Sequence, residues 1–291
     1  MSKSDNITQR FLFDSTDIRG ELVSLNSSFT EALAAHDYPE VIQLLLGELV
    51  AAAVLLSTTL KFEGLLTLQA RGNGPLKLLM VECTDQKAFR AVAQFGDGIR
   101  PGSLQKLLGE GSLVITVDPV KGNRYQGIVP LERESLSRCL EDYFSQSVQL
   151  PTRLWLSSRA GACAGLLLQA LSTSAERSEE VRAESWGRVT TLADTVKNSE
   201  LLGLDHETLL TRLFHEETVR LFDSELVRFE CSCSRERSEK IIKILDKQEV
   251  ETILAEDGQV AMDCQFCNQR YVFDSDDIEN LFGDSRQPSL H

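Results

Sequence analysis

Four cysteines near the C-terminus are the residues best suited to chemistry in this chain. Cys231 and Cys233 are separated by one serine, Cys264 and Cys267 by Gln265-Phe266, and residues 234–263 lie between the two pairs. Zn²⁺ takes four soft ligands in a tetrahedron, and two short cysteine pairs on separate turns supply them without long-range folding. Cys264-x-x-Cys267 has the spacing of a zinc knuckle. Cys231-x-Cys233 is tighter by one residue, and that crowding suits a site that must also open. Thiolates that hold a metal are also the nucleophiles that oxidants attack, so the same residues admit redox chemistry. Arg235 and Arg237, with the positive end of a helix capped by Ser234, are expected to offset part of the charge of a four-thiolate centre.

The elements that would position these cysteines are short. In the helix opened by Ser234, Ile241, Ile242, Ile244 and Leu245 are expected to face inward. VETILAEDG reads as a second helical piece stopped by Gly258. VAMDC leads into the Cys264 pair, RYVFD leads out, and DDIENLFG forms a last helix. The module, residues 231–291, has few large apolar side chains. Below about 70 residues such a core is thin, and a structural metal commonly makes up the deficit.

Across all 291 residues, 42% are hydrophobic and 25% charged, as in ordinary globular proteins, and the formal net charge is −14. So acidic a surface repels phosphates, which argues against a nucleic-acid partner for the cysteine module. The longest apolar run, 41–60, contains Gln43, Gly47 and Glu48, so it reads as a buried core helix rather than a membrane span. The polar start, MSKSDNITQRFLFDSTD, has no secretory character, and a cytoplasmic protein is expected. In a reducing compartment, seven cysteines argue for metal or redox chemistry rather than a static disulfide framework. Cys83, Cys139 and Cys163 lie in or beside apolar runs and read as small core hydrophobes.

Residues 11–25 read as a strand, and Ser27 or Ser28 can cap a short helix through Ala35. The long core helix follows Pro39. GLLTLQA, PLKLLMVEC and AFRAVAQF form an antiparallel meander around Gly72-Asn-Gly74-Pro75 and Thr84-Asp-Gln86. A short helix spans Leu104–Leu108, and SLVITVD and RYQGIVPL flank a turn. Ser135 opens a helix carrying Leu136, Leu140, Tyr143 and Phe144, and a hairpin turned at Arg159–Gly161 closes the section. Strand runs with inserted helices indicate an α+β domain with an antiparallel sheet over residues 1–172. Residues 173–230 are charged and serine-rich. Trp186, Val189, Leu192 and Val196 form a thin stripe there, and a second helix capped by Asp205 carries Leu209, Leu210, Leu213 and Phe214. Helices so short are marginal alone, so this segment reads as a conditionally folded helical linker, with an ordinary helical subdomain as the competing view.

No phosphate loop is present, Gly72-Asn-Gly74 has no third glycine in register, and neither H-E-x-x-H nor G-x-S-x-G occurs. His215-Glu216-Glu217 reads as a solvated helix face. No catalytic residues are assigned, and an enzyme is not expected. Two rivals remain: a constitutive zinc ribbon that binds protein or RNA, and a thiol–disulfide oxidoreductase. The second lacks a thioredoxin-like βαβ context.

The segments RYQGIVPL (124–131), LEDYFSQSVQLPTRLWL (140–156), LLTRLFHEETV (209–219), CSCSRER (231–237), LAEDG (254–258) and CQFC (264–267) resemble the thirty-three-kilodalton heat-shock proteins, redox-regulated holdase chaperones of the bacterial cytosol. The resemblance runs over nearly the whole chain and includes all four cysteines. It implies one Zn²⁺ per chain on Cys231, Cys233, Cys264 and Cys267 in an inactive, reduced form. Oxidation would form the redox-active disulfides Cys231–Cys233 and Cys264–Cys267, eject the zinc and unfold the linker. The implied partners are unfolding client proteins, a second copy of the chain when oxidised, and ATP-dependent foldase chaperones downstream.

Overall fold

A computed structural model of the chain describes residues 5–14, 16–59, 63–171 and 178–283. It divides into two compact units, one ending at Glu230 and one beginning at Cys231. Residues 178–230 fold within the first unit, and the boundary expected at 172/173 lies outside the described residues.

The first unit is built on two sheets. In one, β1 (Ile7–Phe13), β2 (Ile18–Leu25), β8 (Thr152–Arg159), β9 (Ala162–Ala170) and β10 (Val219–Leu226) lie side by side in the order β10-β1-β2-β9-β8. The single strand expected over 11–25 is thus a hairpin. It pairs Ile7 with Ser24, and its turn around Thr16-Asp17 contains neither glycine nor proline to announce it. The other sheet contains β3 (Gly64–Gly72), β4 (Leu76–Thr84), β5 (Ala88–Phe95), β6 (Gly111–Pro119) and β7 (Tyr125–Pro130). A two-residue strand, β11 (Arg228–Phe229), is added parallel to β5, giving the order β11-β5-β4-β3-β6-β7.

Helix α1 (Ser27–Leu33) is short, and α2 (Glu40–Thr59) packs on strands of both sheets. Of the 18-residue stretch of α2 that is long and apolar enough to cross a membrane, 72% is buried inside the unit, as befits a core helix. In α3 (Leu104–Leu108), the carbonyls of Leu107 and Leu108 press against the Gly72–Gly74 turn. A Cβ on Gly72 would come within 1.9 Å of the Leu108 oxygen, so these glycines permit close packing. Helix α4 (Leu136–Tyr143), capped by Ser135, runs into a π-helical turn at Phe144–Val148.

Strand alternation gives the first sheet two apolar faces. Val23 and Leu25 of β2 face the α2 core, whereas Ile18 and Leu22 face a second cluster. That cluster is covered by α5 (Glu179–Ala193), α6 (Asn198–Gly203) and α7 (His206–Phe214). Phe214 packs edge-on against Phe13 at 5.0 Å and lies 6.2 Å from Phe11. His206, at the start of α7, is buried. Its Nδ1 lies 3.0 Å from Gln9 Oε1 and its Nε2 3.0 Å from Ser24 Oγ. Because Gln9 Nε2 donates to the Phe222 carbonyl at 2.8 Å, Gln9 Oε1 is left as acceptor. His206 Nδ1–H therefore donates to Gln9.

The second unit contains α8 (Arg235–Ile242), α9 (Lys247–Asp257), a hairpin of β12 (Val260–Asp263) and β13 (Arg270–Phe273), and α10 (Ser275–Gly283). Among its described residues the buried apolar ones are few: Ile242, Val250, Val260, Phe273 and Ile278. Of the four side chains expected to face inward, only Ile242 is buried; Ile241, Ile244 and Leu245 are exposed. Helix α8 ends at Ile242, so the helical spacing that would have grouped Ile244 and Leu245 with it is lost, and Ile241 lies on the next face of the helix.

Phe214→Ala should remove about 3–5 kcal/mol of burial and packing from the second cluster. Amide exchange should quicken in α5–α7 and β10 while α2 stays protected; equal acceleration in α2 would show that the two cores are not separable. Burial pushes the Glu48 carboxyl up to about 7. Its folded pKa then exceeds its unfolded value, so the native state binds more protons between about pH 4.5 and 7, and stability falls as pH rises through that window. Glu48→Gln should gain on the order of 2–3 kcal/mol over the parent at pH 8 and almost nothing at pH 4.5. Urea melts at both pH values check this, and a pH-independent difference would refute it.

Candidate metal centre

The knuckle pair is positioned by the β12–β13 hairpin. Cys264 leaves β12, its N–H donates to the Gln269 carbonyl at 3.0 Å, and the Asn268 N–H donates back to the Cys264 carbonyl at 2.8 Å. Asn268 closes this turn in the left-handed region, at φ +55°. The first pair is fixed from α8. Ser234 accepts from the Arg237 N–H, and the Arg237 guanidinium donates to both the carbonyl and the hydroxyl of Ser232, at 2.7 and 2.6 Å. Arg235 stacks 4.4 Å above the Phe273 ring and donates to the Val272 carbonyl and to Asp277. Besides the charge they bring near the thiols, the hydrogen bonds of the two arginines lock α8 to the hairpin and brace the backbone between the first two cysteines.

The result is convergence. The sulfurs of Cys231, Cys233, Cys264 and Cys267 all lie within 4.8 Å of one another. The Cys231–Cys264 sulfur distance is 3.6 Å and the Cys233–Cys267 distance 3.5 Å, so these close approaches run across the two sequence pairs. Four sulfurs bound at 2.3 Å in a tetrahedron stand about 3.8 Å apart, so the donor set fits a single zinc-sized ion. Each cysteine is half-buried, open enough for exchange with solvent yet shielded enough to make charge costly.

The thiols are not equivalent. Burial pushes Cys231 up, against a hydrogen bond from the Cys233 N–H. Cys267 is driven up by burial and by the neighbouring thiols, although the Gln269 N–H donates to it. At Cys233 burial also raises the thiol, but the hydrogen bond from Tyr271 and those from the other cysteines outweigh it, and the net direction is down. The Tyr271 hydroxyl lies 3.2 Å from Cys233 Sγ. Sequence reasoning missed Tyr271, whose only signal is its place on the strand that follows the knuckle.

The other residues singled out earlier take structural places. Cys83, Cys139 and Cys163 are buried in the α2 core, and burial pushes the Cys83 thiol up to about 11. Such thiols are poor nucleophiles. His215 and Glu216 are exposed just beyond α7, but the Glu217 side chain is buried in an ion pair with Arg188 at 2.7 Å.

A module with four clustered cysteines able to hold a metal, joined to an α+β body of two sheets, defines the class of protein. The chain belongs to the Hsp33 family: the family model described as Hsp33 protein matches residues 6–274. The 33 kDa chaperonin of Azotobacter vinelandii is 53% identical over 289 residues, covering 98% of this chain and 97% of that protein. The 33 kDa chaperonin of Pseudomonas aeruginosa is 53% identical over 286 residues, with 97% and 96% covered. The fold is similar to that in the crystal structure of the 33 kDa chaperonin from Thermotoga maritima, with a TM-score of 0.82 at 21% identity over 95% of this chain and 97% of that one.

If the four sulfurs are the ligand set, Cys233→Ser should weaken zinc binding beyond the 10–100-fold typical of losing an outer-shell partner. Cys139→Ala should leave binding unchanged. Chelator competition on the reduced proteins measures both, and equal affinities for Cys233→Ser and the parent would remove Cys233 from the site.

Proposed function

We propose that this protein is an ATP-independent holdase chaperone of the cytosol, switched by oxidation at a zinc centre. The observation that carries the reading is the convergence of four thiols in a unit with so few buried apolar residues. When bound, zinc keeps the sulfurs as thiolates and supplies folding energy on the order of 10–16 kcal/mol.

Oxidation by a peroxide proceeds within each sequence pair. The electron pair of one thiolate forms a sulfur–oxygen bond, the O–O bond breaks, and hydroxide leaves and is protonated to water. The partner thiolate then attacks that sulfur and expels the oxygen as a second water. Two electrons pass from the cysteine pair to the peroxide, and one disulfide remains. Pairing as Cys231–Cys233 and Cys264–Cys267 follows the family resemblance and is favoured by entropy once the unit loosens, because these loops are far shorter than those of cross-pairing. Each disulfide removes two ligands, so the oxidised chain no longer holds the ion and its thin-cored unit unfolds.

Glu230 is bonded directly to Cys231, so loss of the second unit frees the end of the segment that carries α5–α7, β10 and β11. Release of that segment exposes the apolar face of the first sheet around Phe11, Phe13, Leu22, Leu166 and Leu168. This face binds unfolding clients, and two oxidised chains can pair through it; transfer to ATP-dependent foldases would complete a stress response. The protein's role is binding, with no substrate turned over.

Zinc-loaded, reduced protein treated with peroxide at mildly raised temperature should release zinc to a chromogenic chelator in step with suppressed light scattering from an aggregating client. Reductant with zinc should reverse both. Zinc release without client protection would overturn the holdase reading, and retention of zinc would leave a permanent structural site.

A further inference from the structure

Cys233 differs from two of its partners in what donates to its sulfur. Cys231 receives the Cys233 N–H and Cys267 the Gln269 N–H, both backbone groups. Cys233 receives a side chain, the Tyr271 hydroxyl at 3.2 Å. The position of that hydroxyl is set by the fold. Tyr271 pairs with Met262 across the β12–β13 hairpin, and strand alternation puts Tyr271 on the same face as Phe273, which is buried beneath the Arg235 guanidinium. Val272, between them, turns its side chain outward. The strand that carries the donor is therefore held by the same Arg235 contacts, to the Val272 carbonyl and the Phe273 ring, that hold α8, the helix that follows Cys233.

A centre of four thiolates around a divalent cation carries two surplus negative charges, and its stability depends on donors that draw charge from the sulfurs. We propose that Tyr271 is a positioning residue of the metal centre: its phenol donates to the Cys233 thiolate, aims that sulfur at the ion, and sets how readily the site gives up its metal. The proposal rests on the metal reading above but not on the chaperone reading. Without the phenol, the Cys233 sulfur holds more charge and more freedom, so the metal leaves sooner.

The test is Tyr271→Phe in the full-length reduced chain, with Val272→Ala as a neighbour that alters no donor. In the cobalt-substituted protein, Tyr271→Phe should move the sulfur-to-cobalt charge-transfer band to longer wavelength, because the thiolate is no longer stabilised, while the tetrahedral d–d bands persist. Zinc affinity by chelator competition should fall about tenfold or more, and Val272→Ala should match the parent in both readouts. An unmoved charge-transfer band with affinity within about twofold of the parent would overturn the proposal. Collapse of the tetrahedral bands would also overturn it, by making Tyr271 a packing support rather than a donor. Failure of client protection alongside the expected cobalt and zinc results would defeat the holdase reading and leave this assignment standing.

Discussion

Four sulfurs held within 4.8 Å of one another cannot all carry charge unaided. Two thiolates at this spacing repel by about 3.5 kcal/mol at an effective dielectric near 20, and a four-sulfur cluster contains six such pairs. Chemistry offers three escapes: protonation, a bound cation, or oxidation to disulfides, which removes the charge two sulfurs at a time. Burial, which pushes Cys231 and Cys267 up, favours the first escape. The second and third are the two ends of the proposed switch. The second unit depends on this constraint because its few buried apolar residues make too small a core to hold three helices and a hairpin together.

The first unit divides its own stability unevenly. The α2 core is dense and almost wholly apolar, with a helix in contact with both sheets. The cover on the far face of the first sheet is different in kind. It includes the His206–Gln9–Ser24 hydrogen bonds and ends in an edge strand whose residues are mostly exposed. A hydrogen bond given up to water costs only about 0.5–1.5 kcal/mol net, so polar contacts fix where the cover sits without making it hard to lift. Local opening draws on regions with few buried apolar contacts, and the mostly exposed strand β10 fits that description.

Much of this was legible in the sequence where the signal was local. Helix α2 was announced by its long apolar run, α4 and α7 by their cap residues, and the meander by its glycines. The four cysteines stood out by spacing alone. What was hidden depends on distant partners or on missing punctuation. The β1–β2 turn lacks glycine and proline, so two strands read as one. Helix α6 is only six residues and was absorbed into its neighbours. The pairing of Ile7 with Leu226 joins residues from opposite ends of the first unit, which no window of sequence displays. Ile241, Ile244 and Leu245 misled because apolar character was read as burial: Ile241 sits about 100° around α8 from the buried Ile242, and α8 ends before its period can turn Ile244 and Leu245 inward.

The site was legible in its ligands but not in its supports, and the reason is chemical. Cysteine is rare enough that four in two pairs form a pattern, whereas a tyrosine or an arginine acquires meaning only from what it touches. Arg235 follows Cys233 closely in sequence, and its charge suggested a partner for thiolates; in the fold it meets an aromatic face, a carbonyl and a carboxylate instead. Tyr271 lies 38 residues from Cys233 and carries no charge, yet its hydroxyl reaches the sulfur. Charge and proximity along the chain therefore ranked these two residues in the wrong order. A metal site is tuned by groups whose direction is fixed by packing, and the hairpin that delivers Cys264 and Cys267 also fixes Tyr271 against the opposite pair. One short strand thus links both halves of the centre, so disorder in either half reaches the other through the same few residues.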